Sequence, residues 1–175
     1  VDGQEWQIQF PNIPGIAIPG GPAKLPLLDF GSEFEKGLLS LEPLQVLDAE
    51  GYPTLVPAVD ADGNDRGCLN APMVLAPLAT YTGWNLRARG QGYGAKYQFS
   101  GSTIPFPETP EERQVTADPR ASILERYPNA ESYVEAVHAA SRQLVEERYM
   151  LEEDLERCVE WAKDWDRLRH RIRLP

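Results

Sequence analysis

From residue 110 onward, apolar side chains return every three or four positions; before it they come in short runs broken by Pro and Gly. Tyr133, Val137, Ala140 and Leu144 recur at helical spacing, with Val134 and Val145 at the margin, and Asn129 stands where an N-cap belongs. A final helix is predicted to carry Leu151, Leu155, Cys158, Val159, Ala162 and Trp165 on one broad face, with Glu152, Glu153 and Asp154 at its positive end. Two such helices joined by a short connection predict an antiparallel pair. Upstream, Thr109-Pro110-Glu111-Glu112 combines an N-cap, Pro at the first helical position and early acids. Asp118-Pro119 repeats the signal and predicts a short helix ending before Pro128.

The first part follows another rule. All 14 Gly lie between Gly3 and Gly101, and 13 of the 16 Pro lie at or before Pro110, so regular elements there must be short. Trp6 to Phe10 alternates like a strand, and the Pro and Gly from Pro11 to Pro26 forbid a long element. Leu38 to Leu47 is apolar but interrupted by Pro43; Tyr52 to Val59 is rich in strand formers. Asp62-Gly63 signals a tight turn. Met73 to Leu78 reads as an edge strand between Pro72 and Pro77. The predicted fold class is α+β: short strands and long Pro/Gly-rich loops over residues 1–108, then a helical region over 109–175 with the antiparallel pair. The two together read as one structural unit of a larger protein. Long surface-following segments are uncommon in a compact domain, which predicts that they wrap over a body outside this chain.

Charge removes several function classes. The chain has 17 bases against 27 acids, a net charge of −10 and a pI near 4.7, a field that repels phosphate backbones and argues against nucleic-acid partners. Arg167, Arg169, Arg171 and Arg173 gather around His170 and read as a solvated or helix-dipole cluster. No apolar run approaches the ~18 residues of a membrane span. The composition is that of a soluble chain; it starts at Val1 rather than Met, which predicts processing, with any secretory leader already removed. Cys68 and Cys158 read as two free, buried thiols, with a single bridge as the alternative.

A catalytic set is hard to assemble. No serine has the G-x-S-x-G setting of a nucleophile elbow; Ser100-Gly101-Ser102 comes nearest. His138 reads as a half-buried helix residue and His170 as part of the basic tail. Cys68 has Arg66 nearby but no local His to activate it. Asp60-Ala61-Asp62-Gly63-Asn64-Asp65 resembles the opening of a calcium loop, yet places Asp65 and Ala71 where Gly and Glu belong, so a hairpin turn is favoured. Zinc has no support from two His and two Cys far apart, and no cofactor is expected. The block Leu78 to Arg87 stands out: Tyr81, Thr82, Trp84, Asn85 and Arg87 put aromatics, a hydroxyl, an amide and a guanidinium beside Gly83. These five are the candidate contacts to a ligand or another domain. A rival surface is an aromatic helix face of Trp161, Trp165 and Leu168, serving a non-catalytic interaction module.

Tyr52 to Val59, Asp60 to Asn64, Pro77 to Arg87, Gly101 to Phe106, Asp118-Pro119-Arg120, Glu125-Arg126-Tyr127 and the helix pair resemble the end of a bacterial "α/β-hydrolase domain" family. The resemblance covers roughly Tyr52 to Trp165, and the block ending at Arg87 is its most specific part. It implies an α/β-hydrolase catalytic core, on the same precursor or a separate chain, whose Ser, acid and His lie upstream. No triad residue carries over to a position here. The function implied is the accessory end of an esterase-like hydrolase acting on a small ester substrate, its loops draped over the core.

Overall fold

The computed structural model describes residues 9–16, 25–52, 55–87, 90–92, 96–97 and 99–171. Of the expected strand Trp6 to Phe10, only Gln9 and Phe10 fall within them, and Arg173 lies outside. Three two-stranded antiparallel sheets come first: β1 (Leu25–Asp29) with β2 (Gln45–Tyr52), β3 (Ala79–Thr82) with β6 (Ser102–Pro105), and β4 (Asn85–Leu86) with β5 (Lys96–Tyr97). A short helix, α1 (Pro72–Leu75), precedes β3. Helices α2 (Pro110–Thr116), α3 (Ile123–Arg126), α4 (Ala130–Glu146), α5 (Glu152–Ala162) and α6 (Trp165–Arg171) follow. This is the α+β architecture expected from the sequence.

Caps set the helix boundaries. The Thr109 hydroxyl accepts from the Glu112 amide at 3.2 Å, with Pro110 in the first turn, and Ala117 closes α2 in the left-handed conformation (φ 56°). The short third helix is capped by Ser122, not by the expected Asp118: Ser122 and Glu125 exchange a reciprocal capping box. Asn129 caps α4 as its sequence promises, accepting from the Ser132 amide at 2.9 Å. Met73 to Leu78 is not an edge strand. Pro72 sits in the first turn of α1, and its fixed φ starts a helical turn instead.

α4 and α5 form the antiparallel pair, joined by residues 147–151. The final helix is interrupted at Lys163–Asp164, where the Asp164 amide turns back to the Trp161 carbonyl and the Asp164 carbonyl starts α6. The break rotates Trp165 and Leu168 inward while Trp161 stays at the surface. They join Tyr133, Val137 and Ala162 in one core, to which the first part of the chain adds Ala76, Leu78 and Phe106. The Tyr133 ring stands 5.0 Å from Trp165 and 5.1 Å from Tyr127. Each fully buried side chain of this size stabilises by about 1.5–3 kcal/mol, so the loops before residue 108 and the helices after it share one stabilising centre. A second, small cluster of Phe10, Ile13 and Val59 lies under the loops.

Two expectations about single residues are corrected. Cys68 is exposed, not buried, because it follows the turn at Gly67 (φ +81°) on the surface; Cys158 is half-buried between α4 and α5, and both thiols are free. His138 is exposed on α4, since its position falls outside the Tyr133–Val137–Ser141–Leu144 stripe that packs inward. Ser141, not Ala140, continues that stripe: it is fully buried, and Ala140 only half so.

Candidate functional site

The ten-residue block begins in β3 at the centre of the molecule. Ala79 and Thr80 are completely buried, and the strand pairs from Ala79↔Pro105 to Thr82↔Ser102. Gly101 is required at its end: a Cβ there would stand 2.4 Å from the Thr82 carbonyl oxygen. The Thr82 and Ser102 hydroxyls stand 2.6 Å apart, both within hydrogen-bonding reach of the Trp84 carbonyl, and this triangle of oxygens closes the turn into β4.

Side chains of the block then diverge. Tyr81 is half-buried; burial raises its phenol above the ordinary value, against a hydrogen bond with the Leu78 backbone, and it lies close enough to influence Tyr127 and Tyr133. Trp84 is half-buried, its ring 5.7 Å from Phe10 and 5.5 Å beneath the Lys96 ammonium. Asn85 accepts from the Leu86 amide with its side-chain oxygen at 2.8 Å. Arg87 is exposed, its guanidinium 5.4 Å above the Tyr97 ring. Trp84, Asn85 and Arg87 therefore belong to the β4–β5 hairpin, whereas Tyr81 belongs to a tyrosine cluster under the helices and the Thr82 hydroxyl is spent on the turn.

A buried polar centre joins segments that the sequence marked through the family resemblance, Asp60 to Asn64, Asp118-Pro119-Arg120 and Glu125-Arg126-Tyr127, but not as a site. Arg120 and Asp118 are almost fully buried and paired at 2.6 Å. The same guanidinium donates to the Thr80 hydroxyl (2.9 Å) and to the carbonyls of Ile104 (3.0 Å) and Pro105 (2.8 Å). The Thr80 hydroxyl donates to the Asp62 carbonyl, and the Asp62 carboxylate accepts from both prongs of Arg126. Phe106 lies beneath the two cations, 4.2 Å from Arg126 and 5.1 Å from Arg120. The one sequence signal is Asp-x-Arg at Asp118 and Arg120, a spacing that lets a guanidinium fold back on the carboxylate two residues earlier.

The Asp60–Asn64 segment is the hairpin turn expected. Asp60 accepts from the amides of Asp62 and Asn64, both at 2.9 Å, Gly63 has φ +82°, and Val59 bridges Asp65. Its oxygens are engaged within the fold: the Asn64 amide, 1% exposed, holds Tyr81 and Ala79 of β3. Among the described residues no group of three or more His, Cys, Asp or Glu could hold a metal ion. His138 lines a groove of about 660 Å³ between α4 and α5, together with Val134, Glu135, Val159 and Lys163. Of the rival helix face, Trp165 and Leu168 are 7% and 5% exposed in the core and only Trp161 reaches solvent, at 36%. The face drawn on a single helix is split by the break at Lys163–Asp164.

The β1–β2 hairpin and the loop joining its strands form an arm on which many large apolar side chains are exposed, while Leu27, Leu28, Phe30 and Leu41 are half-buried. Leu38, Leu39, Val46, Leu47 and Tyr52 are each more than half exposed, and Leu55 follows at 72%. No helix of the described residues is long and apolar enough to cross a membrane. A family model described as an alpha/beta hydrolase domain matches residues 21–160, taking in the Pro-rich stretch and the arm as well as the helix pair. No curated protein and no solved structure matches the chain.

Proposed function

This chain belongs to the alpha/beta hydrolase domain family, and from that premise we propose that it is the accessory part of an ester hydrolase, completing or covering a catalytic core carried on the same precursor or on a separate polypeptide. The observation that carries the reading is the arm with its exposed apolar side chains. Large apolar side chains exposed together on one segment mark an interaction site, and a catalytic core is the partner the family supplies. Two features support it further. The strand pairs among the described residues are all antiparallel and two-stranded, unlike the parallel sheet that an α/β catalytic core is built on. Also, among the described residues neither a serine hydroxyl nor a carboxylate hydrogen-bonds to His138, so the fold brings no nucleophile and base together there.

In this reading the arm seats on the core, the Arg120–Arg126 centre keeps the loops rigid, and the β4–β5 hairpin with Trp84, Asn85 and Arg87 faces the substrate entrance. The test is co-expression with the catalytic core. A stable complex with hydrolysis of small esters that the core alone performs poorly is the expected result. Two polypeptides that elute apart and do not affect one another's activity would overturn the reading.

A further inference from the structure

We propose that Arg87, Tyr97 and Phe99 form one wall of a binding site for a carboxylate carried on an aromatic ring. The inference rests on the accessory-part reading for its link to ester chemistry, and it names the acid half of the substrate. The Arg87 guanidinium lies 5.4 Å over the Tyr97 ring, and Phe99 meets that ring edge-on at 5.7 Å while staying 90% exposed. Arg113, Arg120, Arg126, Arg142, Arg157 and Arg169 each hold a carboxylate. Among the described residues Arg66, Arg87 and Arg148 hold none, in a chain that carries ten more acids than bases, and of these three Arg87 is the one that lies over an aromatic ring.

The local sequence accounts for this. Residues 66–107 contain Arg66, Arg87, Arg89 and Lys96 but neither Asp nor Glu. The acid just before that segment, Asp65, lies close enough to Lys96 that each influences the other's titration. A guanidinium stacked on a ring keeps its N–H edge available for a two-pronged carboxylate. The neighbouring exposed ring offers a flat apolar surface for the body of the same molecule. Anion and ring together select an aromatic carboxylic acid, the product released when its ester is cleaved.

The probe is phenylacetate, titrated into the isotopically labelled chain and read by NMR at the Arg87 side-chain Nε–H and the Tyr97 and Phe99 rings. Saturable shifts confined to these groups are expected. Acetate, which loses the ring contact, and the Arg87→Gln variant, which loses a charged hydrogen-bonding partner, should each show binding about tenfold weaker. Phe99→Ala should weaken phenylacetate and leave acetate unchanged. Both side chains are exposed, so neither variant disturbs the core. Equal binding of acetate and phenylacetate, unchanged binding by Arg87→Gln, or shifts located elsewhere would each overturn the proposal. The titration needs no catalytic core. A chain that binds phenylacetate here yet ignores the core would keep the wall and lose the accessory role; one that docks on the core without binding phenylacetate would do the reverse.

Discussion

Arg126 reaches across 64 residues of sequence to close a two-pronged ion pair on Asp62, with its guanidinium stacked 4.2 Å above Phe106. The pair fastens the turn between Val59 and Asp65 to the helical region. Both side chains are less than one-fifth exposed, so the charges are shielded from solvent and each depends on the other. It is the clearest physical reason why a loop-rich first part keeps one position on the helices.

Asp62→Asn should therefore destabilise the chain by about 2–4 kcal/mol, because it strands a largely buried guanidinium. Urea unfolding would read this as a lower midpoint with an unchanged slope. A double-mutant cycle with Arg126→Gln should show a coupling energy above about 1 kcal/mol.

Arg120→Lys should be nearly as harmful as Arg120→Ala. Arg120 satisfies the Asp118 carboxylate, the Thr80 hydroxyl and two backbone carbonyls with a planar fork, and an ammonium cannot reach all four. A loss of about 2–4 kcal/mol is expected for either, read by thermal unfolding.

Alkaline pH should loosen the core. Burial pushes the Tyr127 phenol up to about 12 and raises Tyr133 as well, from an ordinary value near 10. A phenol raised in the folded state is neutral there while the unfolded chain ionises. Its stabilising contribution is complete below pH about 10 and is lost as pH climbs towards 12. Denaturation followed against pH should show stability falling in that window, with phenolate absorbance from these rings appearing only on unfolding. Tyr127→Phe should flatten the fall.

The two thiols should differ in reactivity. Cys68 is exposed, whereas Cys158 is half-buried and burial raises its thiol above the ordinary value. Labelling with a thiol reagent at neutral pH, read by intact mass, should give one fast adduct, abolished by Cys68→Ser, and a second that is slower by at least about tenfold.

On the arm, Leu38→Ser combined with Leu47→Ser should leave the stability of the isolated chain within about 0.5 kcal/mol. The same variant should weaken the complex with the catalytic core by tenfold or more, read by equilibrium binding. Equal affinity with and without the substitutions would remove the arm from the interface.

Helix positions were legible wherever a local signal settles them. Thr109 and Asn129 cap where their spacing says they should, and the Tyr133–Val137–Leu144 stripe packs inward as the period requires. The break after Ala162 was not legible, because no Gly or Pro marks it and the apolar spacing runs through unbroken. Pro72 was read as a strand boundary when its fixed φ serves a helical turn equally well. Composition singled out the Leu78–Arg87 block but could not say which way each side chain turns, since that depends on pairings with Ser102, Asn64 and Lys96 far along the chain. The Asp62–Arg126 and Asp118–Arg120 centre was not read as a site for the same reason: charged residues in turns and at helix ends read as solvent-facing until the fold encloses them.

The most direct test of the accessory role is the intact mass of the natively isolated protein together with its size-exclusion profile. The account predicts that these residues are recovered joined to a hydrolase core, within a longer polypeptide or tightly bound to a second one. A lone, folded species of 19.6 kDa that associates with nothing would contradict it.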